Sequence, residues 1–183
     1  MSDIPDLKYA REKWRWRGAD RPPFATVPAP GQESVWDYPR PPRIAPESRE
    51  VVVFWGTVEV ARTTRAVRVL ETSHPPSYYL PWPDVARHLL CEAPGSSFCE
   101  WKGPARYWSL IEADRRLSSA AWSYPMPLAG AEAIADCVAF YASALECRVG
   151  GSRVTPQPGG FYGGWITPEL VGPFKGEKGS SGW

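Results

Sequence analysis

The stretch Val67-Arg68-Val69-Leu70-Glu71-Thr72-Ser73-His74-Pro75-Pro76-Ser77-Tyr78-Tyr79-Leu80-Pro81 decides how the chain is read. Side chains on a strand alternate between its two faces. A strand over 66–71 therefore sets Glu71 on the same side as Val67 and Val69, at the strand's end. His74 follows three residues later, ahead of two prolines that fix φ and stiffen the loop. A carboxylate and an imidazole on a rigid support make a candidate site. The residues themselves name no reaction and no ligand.

Outward from this stretch, more short strands follow. Residues 51–54 are Val-Val-Val-Phe, and Gly56-Thr57 turns them into a second strand over 58–61. Residues 97–101 and 105–111 read as a hairpin around Lys102-Gly103-Pro104, because Gly supplies turn geometry. A further strand covers 119–124 and is stopped by Pro125-Met126-Pro127. Two helices are expected. One is short, over 83–90, with Pro83 in its first turn. The other is long, over 131–145, because Ile134, Val138, Tyr141 and Leu145 recur at helical steps. The fold class is mainly β (α+β), antiparallel, with one packed long helix.

Composition fits a single domain over 1–183. An N-terminal arm, 1–48, is rich in Pro, Arg and Trp; a periodic core spans 49–149; a Gly/Pro/aromatic tail spans 150–183. The chain has 21 prolines and 10 tryptophans, and its aromatic content of 13% argues for ordered, proline-stiffened loops over disorder. A net charge of +1, with both signs interspersed, predicts no nucleic-acid or membrane partner. Trp14-Arg15-Trp16-Arg17 has the interleaving that suits single strands, yet Asp3, Asp6, Glu12 and Asp20 share the arm. Packing on the protein's own surface is expected instead. The opening residues lack a basic region followed by an apolar run, so a cytoplasmic location is expected.

Cys91, Cys99, Cys137 and Cys147 are too widely spaced for a zinc knuckle. No metal is expected, and the cysteines read as free thiols. Cys99 shares a strand face with Trp101, and a lysine such as Lys102 beside a thiol makes it more nucleophilic, with His74 as a base. The alternative is a buried Cys99 and a solvated Lys102. Glu71 and Asp84 form a candidate carboxylate pair for acid–base work. For Asp84 the competing role is first-turn charge on the short helix; for Glu71 it is an ion pair with Arg65 or Arg68. His88 reads as a surface residue. The glycine runs of the tail match no phosphate-binding loop, and no Gly-Ser followed by paired aspartates is present to hold Mg²⁺ for nucleotidyl transfer.

Several long motifs occur in one order: Trp36-Asp37-Tyr38-Pro39-Arg40-Pro41-Pro42, Leu70-Glu71-Thr72-Ser73-His74-Pro75-Pro76, Phe98-Cys99-Glu100-Trp101-Lys102-Gly103, Ala121-Trp122-Ser123-Tyr124-Pro125, the run 156–165 and Val171-Gly172-Pro173-Phe174-Lys175-Gly176. Together they resemble the bacterial domain of unknown function 427 family, which is sometimes labelled nucleotidyltransferase-like. The resemblance implies a β-tent, small antiparallel sheets leaning together over a cleft. It brings no established mechanism, and it leaves the cofactor unknown. On the matching positions, Glu71, His74 and Lys102 are candidate catalytic groups, and Tyr79, Asp84, Cys99, Tyr107 and Trp122 candidate ligand contacts.

A small polar or anionic molecule in the cleft is the expected partner, since apolar walls with a few polar anchors make the usual pocket. The alternative is a non-enzymatic interaction or homodimer surface built from the aromatic arm and tail. Trp14, Trp16, Trp165 and Trp183 discriminate the two. An open flat face favours a protein partner; a position over the Glu71/His74 mouth favours a ligand lid.

Overall fold

The computed structural model of the protein describes residues 6–183, so Asp3 and the rest of the first five residues lie outside it. The architecture is mainly β. Seven antiparallel strands form the large sheet, in the spatial order Arg43–Glu47, Ala66–Leu70, Ser77–Pro81, Cys137–Phe140, Arg115–Ser123, Gly103–Glu112 and Leu90–Cys99. Four more antiparallel strands, Ser152–Arg153, Glu146–Val149, Val51–Trp55 and Val58–Thr63, form a second sheet. The two sheets share one apolar core: Val51 and Val53 from the smaller meet Tyr78, Leu80, Val138 and Phe140 from the larger. Each such buried side chain contributes about 1.5–3 kcal/mol.

The strands expected over 51–54, 58–61 and 66–71 are present within two residues of the expected ends, and the hairpin around Lys102 is present too, although its first strand starts at Leu90, seven residues before the expected 97. The expected long helix is not. Residues 131–145 hold a single 3-10 turn, Glu132–Ile134, and then the strand Cys137–Phe140 in the middle of the large sheet. All four of its residues are buried, because neighbouring strands flank it and both its faces are covered. Ile134, Val138 and Leu145 are buried as expected, but from separate elements. A short, uninterrupted apolar run does not distinguish a central strand from a buried helix. The expected helix over 83–90 is replaced by two 3-10 turns, Trp82–Asp84 and Arg87–Leu89. Between them, Val85 bridges to Ala61 of the smaller sheet, which claims the backbone that a helix would need. The α-helix Leu7–Glu12 of the arm, N-capped by Asp6, went unforeseen.

Arm and tail are structural parts of the molecule. Residues 43–47, read as arm from sequence, are an edge strand of the large sheet. Glu33–Ser34 pairs in parallel with Leu170–Val171, joining arm to tail. Trp36 is fully buried at this junction, where its indole N–H donates to the Pro173 carbonyl, 3.0 Å away. No helix among the described residues is long and apolar enough to cross a membrane.

Candidate functional site

The large sheet has a second face, away from the shared core. Alternation puts Tyr79 on it, between Tyr78 and Leu80 of the core face, and puts Cys137 and Ala139 on it, between which Val138 points to the core. Over this face lies a cavity of about 300 Å³. Its floor comes from the strands, through Tyr79, Trp122, Tyr107 and Cys99. One wall is the turn carrying Glu71 and His74; the tail adds Gln157, Phe161 and Tyr162; the arm adds Lys13 and Trp14.

Seven of the eight candidate residues line this cavity: Glu71, His74, Tyr79, Cys99, Lys102, Tyr107 and Trp122. Asp84 does not. Its carboxylate accepts from the Thr63 hydroxyl at 2.6 Å and pairs with Arg65 at 2.6 Å, away from the cavity, and it is the acidic residue in the first turn of the 3-10 segment Trp82–Asp84, in line with the competing role. Glu71 does not pair with Arg65 or Arg68. Its partner is Arg40, with Nε 3.1 Å from Oε1, and Lys102 Nζ stands 4.0 Å from Oε2. Arg68 instead pairs with Glu33 and Glu47. His88 is exposed, as expected.

The strand ends at Leu70, and a tight turn then carries Glu71 to His74. The His74 N–H donates to the Glu71 carbonyl at 3.0 Å, with Ser73 at φ 70. A non-glycine residue there is strained and holds only where its surroundings over-determine it. They do: Ser73 donates to the Val35 carbonyl and accepts from the Lys175 N–H, so arm and tail clamp the turn from both sides.

Arg40 is only 4% exposed, and each of its three guanidinium nitrogens is engaged, donating to Glu71 and to the carbonyls of Trp16 and Thr72. Burial opposes ionisation of Glu71, but His74 (when protonated in acid), Lys102 and Arg40, which also donates a hydrogen bond to it, outweigh that, and its pKa falls below the usual carboxylate value. Burial likewise opposes the charge on Lys102. The acidic groups around it, Cys99, Tyr124, Tyr79 and Glu71, outweigh that and raise its pKa well above the ordinary value. Burial dominates at His74, lowering it to about 4, helped by Arg40, Lys102 and Lys175 and opposed by Glu71. His74 is thus neutral near pH 7. Burial also pushes Tyr79 up to about 12, so its phenol keeps its proton.

The two lysines near the site differ. Lys175 donates all three protons to the carbonyls of Ser180, Ser181 and Trp183, at 2.8, 2.9 and 3.0 Å, and its ammonium lies 5.0 Å from the Trp14 ring centroid. The Lys102 ammonium makes no hydrogen bond to any described residue; it faces the Tyr124 ring, 5.8 Å from its centroid. It is the cation with donors to spare.

The four tryptophans split. Trp14 lines the cavity, held by its N–H to Glu100 at 2.8 Å and by Arg40 over its ring. Trp165 is fully buried and stacked on Tyr78. Trp16 and Trp183 pack on Trp36 and Phe24. Sequence reading did not single out Arg40, Gln157, Tyr124 or Tyr162 as site residues, although each lies within a motif quoted above. Trp14 was marked only within the Trp14-Arg15-Trp16-Arg17 run and as one of four lid candidates, of which it is the one that lines the cavity. Among the described residues, no group of three His, Cys, Asp or Glu is placed to hold a metal ion. Cys137 and Cys147 are buried, Cys91 and Cys99 partly so, and all four are free thiols.

Fold and cavity define a mainly β protein with a polar, aromatic pocket on the outer face of its large sheet. The chain belongs to the family described as domain of unknown function (DUF427), whose model matches residues 43–151. No curated protein matches it. The family match covers the cavity floor and the Glu71–His74 turn; Trp14, Arg40, Gln157 and Tyr162 fall outside it.

Proposed function

We propose that the cavity, read as the cleft of a β-tent, binds a small polar or anionic molecule. The observation that carries this is the ammonium of Lys102, which stands 4.0 Å from Glu71 and donates no hydrogen bond among the described residues, beside His74 inside an aromatic enclosure of about 300 Å³. Pockets of this kind hold a ligand by apolar walls and orient it by few polar groups. Positive groups near the cavity, Arg40, Lys102, Lys175 and Lys13, outnumber the carboxylates of Glu71 and Glu100, which favours an anion. A reaction in the cavity would use neutral His74 to polarise the ligand, since His74, lowered to about 4, and Glu71, held ionised by its partners, are both weak bases.

Support for a partner surface is thinner, because Trp16, Trp165 and Trp183 are spent on contacts within the chain. A thermal-shift screen across a metabolite library tests the ligand reading. Anionic hits should raise the melting temperature of the wild type and not of Lys102→Met. Hits that stabilise both equally would place the ligand elsewhere, and a screen without hits would count against the reading.

A further inference from the structure

Gln157 is 95% buried, and its amide orientation is fixed by two backbone groups of opposite sign. Its oxygen accepts the Gly164 N–H at 3.0 Å, so the other end of the amide is the NH₂ group. That group donates to the Lys175 carbonyl at 2.8 Å. Its second proton points at Nδ1 of His74, 3.0 Å away. A ring nitrogen that receives a proton this way is an acceptor, and in a neutral imidazole the other nitrogen then carries the hydrogen. Nε2 has no hydrogen-bond partner among the described residues. The edge-on ring of Tyr162, 4.6 Å between centroids, holds the imidazole plane.

Two further groups near the floor are donors. The Lys102 ammonium donates no hydrogen bond among the described residues, its nearest carboxylate oxygen being that of Glu71 at 4.0 Å. The Tyr79 hydroxyl accepts the Trp122 N–H at 3.1 Å, which leaves its own proton to give. Among the described residues Glu71 is the carboxylate paired with Lys102, and Arg40 neutralises it. At the mouth, Glu100 is occupied by Trp14, while Lys13 is exposed.

We infer that Gln157 is a positioning residue that locks His74 as its Nε2–H tautomer, so that the cavity offers His74, Lys102 and Tyr79 as donors to an oxyanion of the ligand, a carboxylate or a phosphate. This rests on the ligand reading above and narrows it to a chemical class. Gly164 belongs to the device. A Cβ there would lie 2.4 Å from the Gln157 amide oxygen and 2.5 Å from the Pro75 carbonyl, so only glycine lets the tail approach closely enough to hold the glutamine.

The lock is testable without any ligand. The chain has only two histidines, and His88 is exposed, so nitrogen-15 correlation spectra of the imidazoles at pH 7 resolve both. His74 should show protonated Nε2 and bare Nδ1, while His88 should show averaged tautomers. Gln157→Glu should move the His74 proton to Nδ1 or produce an imidazolium. A wild-type His74 found as Nδ1–H, or as a rapid mixture, overturns the lock.

Inorganic phosphate and benzoate, titrated separately, test the oxyanion and tell the two sources apart. At least one should shift the His74 Nε2 signal in a saturable way. His74→Gln, which keeps a donor near the Nε2 position, should bind that anion nearly as well as wild type, whereas His74→Asn should lose about tenfold in affinity, as expected for one hydrogen bond to a charged acceptor. No response to either anion, or equal loss in both variants, refutes the oxyanion assignment. A neutral molecule emerging from the metabolite screen would also refute it while leaving the ligand reading intact.

Discussion

The two faces of the large sheet are built from the same strands and do opposite things. Toward the smaller sheet, Tyr78, Leu80, Val138 and Phe140 are at most 1% exposed and close a core with no cavity role. Toward the other side, Tyr79, Trp122, Cys99 and Tyr107 line an open pocket whose ion pairs come from flanking segments. In the Ser77–Pro81 strand the two duties alternate residue by residue. The lesson is that rigidity and function share a backbone here: the sealed face holds the strands in register, and the open face inherits that precision for its polar groups. The open face is also the costly one, since it carries partly buried charges that must be paired.

The comparison breaks most sharply at the sealed face. Phe140→Ala should cost about 3–5 kcal/mol of unfolding free energy in chemical denaturation, because the residue is fully buried and its space cannot collapse inside a central strand. A loss under about 1 kcal/mol would mean that the core is looser than its burial implies.

On the open face the largest effect should come from Arg40→Met, which strands the Glu71 carboxylate. Breaking one side of a buried ion pair costs about 3 kcal/mol or more, and the Glu71 pKa should climb as its positive partner goes. Denaturation of Arg40→Met, Glu71→Gln and the double variant should show strong non-additivity. Simple additivity would deny the pairing.

The pH dependence sharpens the contrast further. In the unfolded chain His74 titrates near its ordinary value of 6.5, and in the folded state it titrates at about 4. A depressed folded value means that the unfolded state binds the extra proton first. The contribution of His74 to stability is therefore complete above about pH 6.5 and is lost as pH falls toward 4. The slope should approach one proton, about 1.4 kcal/mol per pH unit at its steepest, and should flatten in His74→Gln. Glu71, also depressed, adds its own loss below the ordinary carboxylate range. The unchanged acid limb of a His74→Gln stability curve would remove His74 as its source.

The smallest effect belongs to Asp84. Arg65→Ala should shift stability by less than about 1 kcal/mol, since Arg65 is 64% exposed and surface pairs contribute little. Glu71 and Asp84 are both carboxylates paired with an arginine, so this difference would isolate the effect of burial.

Local pattern carried much of this protein. Alternation in 66–71 and the valine run at 51–54 marked strands that exist: Val67 and Val69 share the cavity face, while Val51 and Val53 share the core face. The Glu71/His74 turn and the Lys102 hairpin were legible for the same reason: proline and glycine set backbone geometry locally, whatever the rest of the chain does. Residues 131–145 were misread because burial on both faces erases period two, and what remained there mimicked a helical stripe.

Seven of the eight site candidates could be chosen from sequence as chemically able residues next to rigid turns. Their meeting in one cavity could not, and neither could Arg40 as the partner of Glu71, 31 residues away, or Gln157 as the partner of His74, 83 residues away. Short-range sterics act between neighbours in the chain and are written in it. Ion pairing, desolvation and the orientation of an amide depend on which distant segments close over a face, and only the packing of arm and tail onto the sheet decides that.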